Sequence, residues 1–102
     1  MSSAFISRGV GGRGVTRITG RIPGFIFANF RIAARPRKAG NLRVVWFWSG
    51  SSGPVASRAV RPVRGCAVNP LRNNRGALPA GRYRAKLRYE GTVVATAAAT
   101  LG

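Results

Sequence analysis

Histidine is absent from this sequence, and acidic residues are nearly so. Among 102 residues there is no histidine and one acid, Glu90. General acid–base and nucleophilic catalysis rely on paired carboxylates, or on a histidine that activates a nucleophile. Neither arrangement can be assembled from these residues, so the sequence predicts a protein that is not an enzyme.

Metal and cofactor sites lack their usual residues for the same reason. Cys66 is the only cysteine, and one thiol and one carboxylate do not make a coordination shell. No disulfide can form within the chain, and we expect Cys66 to be a buried structural thiol. Residues 9–14 match the letters G-x-G-x-x-G, but further glycine and proline follow where a dinucleotide site needs a helix. We therefore expect no metal and no cofactor.

Long apolar runs are also missing. No continuous apolar stretch near Met1 marks a signal peptide, and no run reaches the length of a membrane helix. We expect no membrane span, and a location in the cytoplasm or in a virion.

Positive charge is what the sequence has in excess. Eighteen Lys and Arg residues against one acid give a net charge of +17. Because that charge repels itself in a compact monomer, we expect an anionic partner, either an acidic protein surface within an assembly or nucleic acid. Arginine, which dominates the cations, favours bidentate contacts with phosphate and carboxylate. A GC-rich genome would give the same excess of arginine over lysine, so this preference by itself decides nothing.

Residues 1–24 are rich in glycine and arginine. Glycine at this density disfavours a helix, and we expect an extended basic arm with one short edge strand near residues 14–19. The arginines of this arm recur along one path and are candidate contacts for a polyanion: Arg8, Arg13, Arg17 and Arg21.

Residues 25–102 show short runs of β-branched and aromatic residues between turn residues. Strands are predicted over residues 25–34, 42–48 and 55–62, and a short strand followed by a loop within residues 64–75. The large aromatic residues of these strands are assigned to the core: Phe25, Phe27, Trp46 and Trp48. Val45 and Phe47 make the second face of their strand apolar too, which indicates cover by the arm or a loop, or else an apolar interface.

A hairpin is predicted at residues 78–101, around the turn Glu90-Gly91. Its first strand alternates apolar residues with a row of cations: Arg82, Arg84, Lys86 and Arg88. Because alternate strand residues lie about 7 Å apart, this row has nearly the phosphate spacing of one nucleic-acid strand. An ordinary solvated strand face is the alternative. In the second strand, strict alternation would place Thr92, Val94 and Thr96 on one face.

Leu78, Gly81 and Tyr83 form the pattern Leu-x-x-Gly-x-Tyr at the start of this hairpin. The pattern resembles the tyrosine corner of immunoglobulin-like and fibronectin type III-like domains, and Trp46 is similar to their core tryptophan. The resemblance, over residues 25–101, implies an antiparallel β-sandwich of about seven short strands, with the Tyr83 hydroxyl bonded to upstream backbone. The cysteine pair that brackets this tryptophan in antibody domains is missing. Only the fold is implied, because such domains serve many functions.

Two functions are compatible with these features. The first is a non-catalytic structural module, a small basic subunit of a larger assembly such as a phage capsid decoration or tail component, which docks on an acidic neighbour. The second is a nucleic-acid-binding protein that contacts phosphates without reading sequence. In both cases we expect the protein to be oligomeric or bound in an assembly.

Overall fold

The computed structural model describes residues 3–9, 12–31, 42–62 and 65–102. Every regular element in these ranges is a β-strand, which confirms the all-β prediction. In chain order the strands are β1 (Ser3–Ser7), β2 (Arg17–Ile18), β3 (Phe25–Arg31), β4 (Leu42–Trp48), β5 (Pro54–Ala59), β6 (Cys66–Arg72), β7 (Gly81–Tyr89) and β8 (Thr92–Leu101). The described residues therefore include no helix that could cross a membrane. The predicted end of the first strand at residues 32–34, and Arg64, lie outside the described residues.

The strands form two sheets. One has three strands in the order β1-β3-β6, and the other has five in the order β2-β8-β7-β4-β5. Neighbouring strands are antiparallel except for β2, which runs parallel to β8. Inward-facing residues of both sheets share one apolar core, which includes Ile26 and Phe30 from the smaller sheet and Val44, Trp46 and Leu87 from the larger.

Trp46 lies at the centre of this core and is fully buried. Its indole N–H donates a hydrogen bond of 2.9 Å to Oδ1 of Asn69 on β6, in the opposite sheet. A buried indole N–H needs an acceptor, because leaving it without one costs the desolvation of the group. The two sheets are therefore joined by a polar contact inside an otherwise apolar core, and the prediction that Trp46 is a core residue is confirmed.

The β7–β8 hairpin turns at the predicted residues. Glu90 and Gly91 both have positive φ, 49° and 84°, as the two central residues of a type I′ turn require. The alternation predicted for β8 is wrong at its start. Leu87 pairs with Ala95 but Arg88 pairs with Val93, so Val94 is the extra residue of a β-bulge. A bulge reverses the facing of the residues beyond it, and a period-2 pattern cannot reveal that reversal.

The N-terminal segment contributes strands to both sheets. β1 pairs with β3 along its whole length, and β2 pairs with β8. Ile6 and Ile18 are fully buried in the core. The extended arm expected over residues 1–24, with a domain beginning at residue 25, is therefore not what the described part of this segment shows. The edge strand expected near residues 14–19 is present as β2. Ile6 ends a three-residue apolar run between serines, and Ile18 lies between Arg17 and Thr19, so neither gives a periodic signal, and the sequence did not predict their burial.

The residues before β7 form the predicted corner. The Tyr83 hydroxyl donates a 2.7 Å hydrogen bond to the carbonyl of Pro79, four residues upstream. Leu78 is buried beside it. Gly81 has φ +142°, and a Cβ at this position would lie 2.5 Å from the indole nitrogen of Trp48. Glycine is therefore required at the corner both by its backbone conformation and by the close approach of Trp48.

Substituting Tyr83→Phe tests the corner. Burial raises the pKa of the Tyr83 phenol, whereas the unfolded chain ionises it near pH 10. The folded state then binds more protons above about pH 10, so the free energy of unfolding falls as pH rises through that range. Tyr83→Phe should cost about 1 kcal/mol at pH 7 and should weaken this alkaline loss of stability. Urea denaturation at a series of pH values measures both effects. Tyr89→Phe, at a half-buried tyrosine, is the control; an equal effect of the two variants would contradict the role of the corner.

Candidate polyanion interface

The predicted cationic row lies on the outer side of the five-stranded sheet. Tyr83, Ala85 and Leu87 of β7 are buried, so the alternating residues of the strand point away from the core. Arg82 and Arg84 are exposed, and Lys86 and Arg88 are half-buried. The structure thus brings together the four β7 residues that the sequence placed on one face.

Two arginines on other strands of the same sheet extend this row. Arg43 of β4 lies directly opposite Arg88. Arg17 of β2 is paired with Thr100 of β8, which is paired with Arg82. Paired residues project from the same side of a sheet. We call the resulting surface the basic face; its cations are Arg17, Arg43, Arg82, Arg84, Lys86 and Arg88.

The apolar residues of β4 lie within the basic face. Val45 is opposite Lys86, and Phe47 is opposite Arg84. Val45 is only 6% exposed, and the Lys86 ammonium lies 5.1 Å from the centroid of the Phe47 ring. The Lys86 stem therefore crosses this apolar strip, as long cationic side chains commonly do. Of the two residues predicted as a possible apolar interface, Val45 is covered and the half-buried Phe47 ring remains accessible.

Arg43 and Arg88 are two like charges paired directly across neighbouring strands of the basic face. Like charges directly opposite each other on neighbouring strands are destabilising. Arg43 donates a 2.9 Å hydrogen bond to Oγ of Ser57. The Nε atom of Arg88 is buried and has no hydrogen-bond acceptor. A bound anion would offset the repulsion between these two arginines.

The other arginines predicted as contacts do not join the basic face. Arg8 and Arg13 are exposed in the connection between β1 and β2, and Arg21 lines a cleft near the start of β3. Arg8 and Arg13 do not continue one path with Arg17, because the chain reverses direction between Ile6 and Val15, which form an antiparallel bridge.

The outer face of the three-stranded sheet was not predicted as a surface. Phe5, Phe25 and Val68 are each about 40% exposed on it. Phe25 and Phe27 were predicted to be core residues, but Phe25 is exposed and Phe27 is half-buried on this outer face. The inward face of β3 is apolar too, so composition could not decide which face packs inside. Trp48 is half-buried, at the margin of the core to which it was assigned.

The described residues offer few side chains of the kinds that catalyse reactions or bind metals. They contain no group of three or more histidine, cysteine or acidic side chains that could hold a metal ion. Cys66 is exposed at the start of β6, opposite Arg31, which corrects the expected buried thiol. The first position of an edge strand faces outward here, a property that residue type alone does not reveal.

No protein-family model matches the chain, and no curated protein matches it in sequence at a significant level. The resemblance to immunoglobulin-like domains therefore depends on the residues of the corner and the core alone.

Proposed function

We propose that this protein is a non-catalytic binding module, a small basic subunit of a larger assembly that docks on an acidic protein neighbour through its basic face. The observation that carries the proposal is the Arg43–Arg88 pair, in which two arginines are paired directly across adjacent strands within a face of six cations. Carboxylates of a partner are suited to this position, because they accept charge-assisted hydrogen bonds from arginine in a bidentate geometry.

Net charge supports a bound state. A charge of +17 in 102 residues favours any partner that neutralises it. The two outer faces also differ in chemistry, one basic and one with exposed phenylalanines. A subunit held between neighbours would use both kinds of surface, and a phage shell or tail is an assembly in which such subunits occur.

We propose an immunoglobulin-like arrangement for the fold. The sheet order β1-β3-β6 against β2-β8-β7-β4-β5, the buried Trp46 and the hydrogen bond from Tyr83 to Pro79 support it. This fold carries no function of its own, so the functional proposal depends on the basic face alone.

Nucleic acid is the second candidate partner, and the linear row on β7 favours it. Alternate residues of a strand are about 7 Å apart, so the row from Arg82 to Arg88 could follow consecutive phosphates of one extended strand. Contacts of this kind would hold the backbone without reading bases.

Salt-dependent binding to two model polyanions tests the site and distinguishes the partners. The probes are poly-glutamate and single-stranded poly-dT, each titrated between about 50 and 200 mM salt. The double variant Arg84→Ala/Arg88→Ala should weaken binding, and for poly-dT it should lower the slope of log K against log salt by about 1.4, or about 0.7 for each lost phosphate contact. Arg31→Ala/Arg58→Ala is the matched control, with the same change in charge at two exposed arginines outside the basic face: Arg31 is on the three-stranded sheet, and Arg58 is paired with the inward-facing Val44.

The titrations have three distinguishable outcomes. Tighter binding to poly-glutamate, lost only in the basic-face variant, supports the acidic partner. The same loss with tighter binding to poly-dT favours nucleic acid. Equal losses in both double variants would show that net charge alone is responsible, and the basic face would then be abandoned as a site.

A further inference from the structure

An open cleft of about 1020 Å³ lies at the end of the three-stranded sheet. One wall is the segment that leads into β3, and the other is the loop that follows β6. Among the residues that line the cleft are Arg21, Gly24, Phe25, Arg72 and Asn74. The basic face lies on the other sheet, so this cleft is a separate feature of the molecule.

Backbone hydrogen bonds hold the two walls together. The Asn73 amide donates to the Gly24 carbonyl at 2.8 Å, and the Leu78 amide donates to the Pro23 carbonyl at 3.0 Å. The Asn73 side chain closes the loop, donating to the Ala77 carbonyl at 2.8 Å and accepting from the Arg75 amide at 3.1 Å. A Cβ on Gly24 would lie 2.8 Å from the carbonyl oxygen of Gly76, so a larger residue at position 24 would push the two walls apart. The cleft is therefore formed before any ligand arrives.

An exposed aromatic ring lies at the rim of the cleft. Phe25 is 41% exposed, and the edge-on ring of Phe27, 5.5 Å away at 78°, supports it from one side. The guanidinium carbon of Arg72 lies 6.0 Å from the centroid of the Phe25 ring. Aromatic rings and guanidinium planes are the two surfaces on which proteins stack unpaired bases.

The lining of the cleft is cationic and contains no acid. Arg21 and Arg72 supply two guanidinium groups, and Asn74 supplies an exposed amide. An aromatic ring beside two arginines matches a ligand that is both planar and anionic. A purely apolar ligand would leave the guanidinium groups without partners, and a simple anion would leave the ring unused.

We propose that this cleft binds one nucleotide unit, with the base stacked against Phe25 and Arg72 and the phosphate held by Arg21 and Arg72. The unit comes either from a free mononucleotide or from single-stranded nucleic acid. The cleft lies where β3 begins and β6 ends, and the Leu78 amide, three residues before β7, donates to the Pro23 carbonyl in its wall. The proposal goes beyond the proposed function, because it does not depend on which anion the basic face binds.

Nuclear magnetic resonance titration of the whole chain tests the site, followed at the amides of Gly24, Arg72 and Gly76. The probes are adenosine monophosphate, ribose 5-phosphate, which has no base, and a short single-stranded oligo-dA. Phe25→Leu should weaken binding of the nucleotide probes by about tenfold, the expected effect of losing one base-stacking contact. Arg72→Gln should weaken it further through the phosphate. The matched controls are Phe5→Leu, at an equally exposed phenylalanine of the same sheet face, and Arg31→Gln, at the far end of β3.

Each outcome bears on the proposal. Nucleotide probes that bind more tightly than ribose 5-phosphate, with losses confined to the Phe25 and Arg72 variants, support it. Comparable binding of adenosine monophosphate and oligo-dA per unit indicates a free nucleotide, and binding of the oligomer alone indicates a nucleic-acid strand. Equal binding of ribose 5-phosphate, equal losses in the control variants, or displacement of the same amides by an acidic aromatic peptide but not by nucleotides would overturn it. Failure here leaves the Arg84→Ala/Arg88→Ala result unaffected, so the two proposals fail independently.

Discussion

Deleting residues 1–24 is expected to unfold the protein, because Ile6 and Ile18 belong to the core. The deletion removes β1 from the edge of one sheet and β2 from the edge of the other. Replacing one buried isoleucine by alanine costs about 2–5 kcal/mol, while a whole domain is stable by only about 5–15 kcal/mol. The loss of both isoleucines together with two strand pairings should therefore cost more free energy than the folded domain has in stability.

Single substitutions make this test quantitative where the deletion is all-or-none. Ile6→Ala and Ile18→Ala should each lower the free energy of unfolding by about 2–5 kcal/mol, measured by urea denaturation with circular dichroism. Val55→Ala removes two methyl groups from an exposed valine on β5 and should change stability by less than about 0.5 kcal/mol. A truncated protein that unfolds cooperatively with unchanged stability would contradict this prediction and would show that residues 1–24 are an arm outside the folded domain.

Trp46→Ala is expected to have the largest effect of any single substitution. The side chain is fully buried, and truncating a buried tryptophan costs about 3–5 kcal/mol. Removing the indole also leaves Oδ1 of Asn69 without its donor inside the core, which adds about 1–3 kcal/mol. The sum is comparable with the stability of a small domain, so this variant should be largely unfolded at room temperature.

A double-mutant cycle separates the two contributions. Trp46→Phe keeps most of the ring volume but loses the hydrogen bond. The loss of stability that it causes should therefore be larger in the wild-type protein, where Asn69 is left without its donor, than in the Asn69→Leu background. Trp48→Phe is the control. Its indole donates to the Ala80 carbonyl at an exposed position, where water can replace it, and the loss should be smaller. Additive effects of Trp46→Phe and Asn69→Leu would show that the hydrogen bond between the sheets contributes nothing.

Local chemistry was sufficient to predict several elements. β4 has the predicted bounds, because Leu42 to Trp48 is an uninterrupted run of strand-forming residues followed by Ser49-Gly50. The β7–β8 turn lies at Glu90-Gly91, because a type I′ turn needs two residues with positive φ and glycine meets that need. The tyrosine corner was predicted from three residues, and its hydrogen bond is confirmed.

Surface assignments failed wherever both faces of a strand are apolar. Phe25 and Ile26 are equally acceptable as core residues, yet only Ile26 is buried. On β4 both faces are apolar too, and Val45 on the outer side is only 6% exposed, opposite Lys86 of the neighbouring strand. Neither result can be read from one strand alone, because each depends on which strand lies beside it.

The sequence by itself determined the class of fold, the β7–β8 hairpin and its corner, the cationic row on β7, and the poverty in groups for acid–base or metal chemistry. Those properties depend on residue type and on spacing within one strand, which are local. Tertiary structure alone decided that Ile6 and Ile18 belong to the core, that Arg43 faces Arg88, and that Phe25 lies with Arg21 and Arg72 at one cleft. Each of these depends on the pairing of distant segments, which is set by the packing of the two sheets rather than by any local pattern.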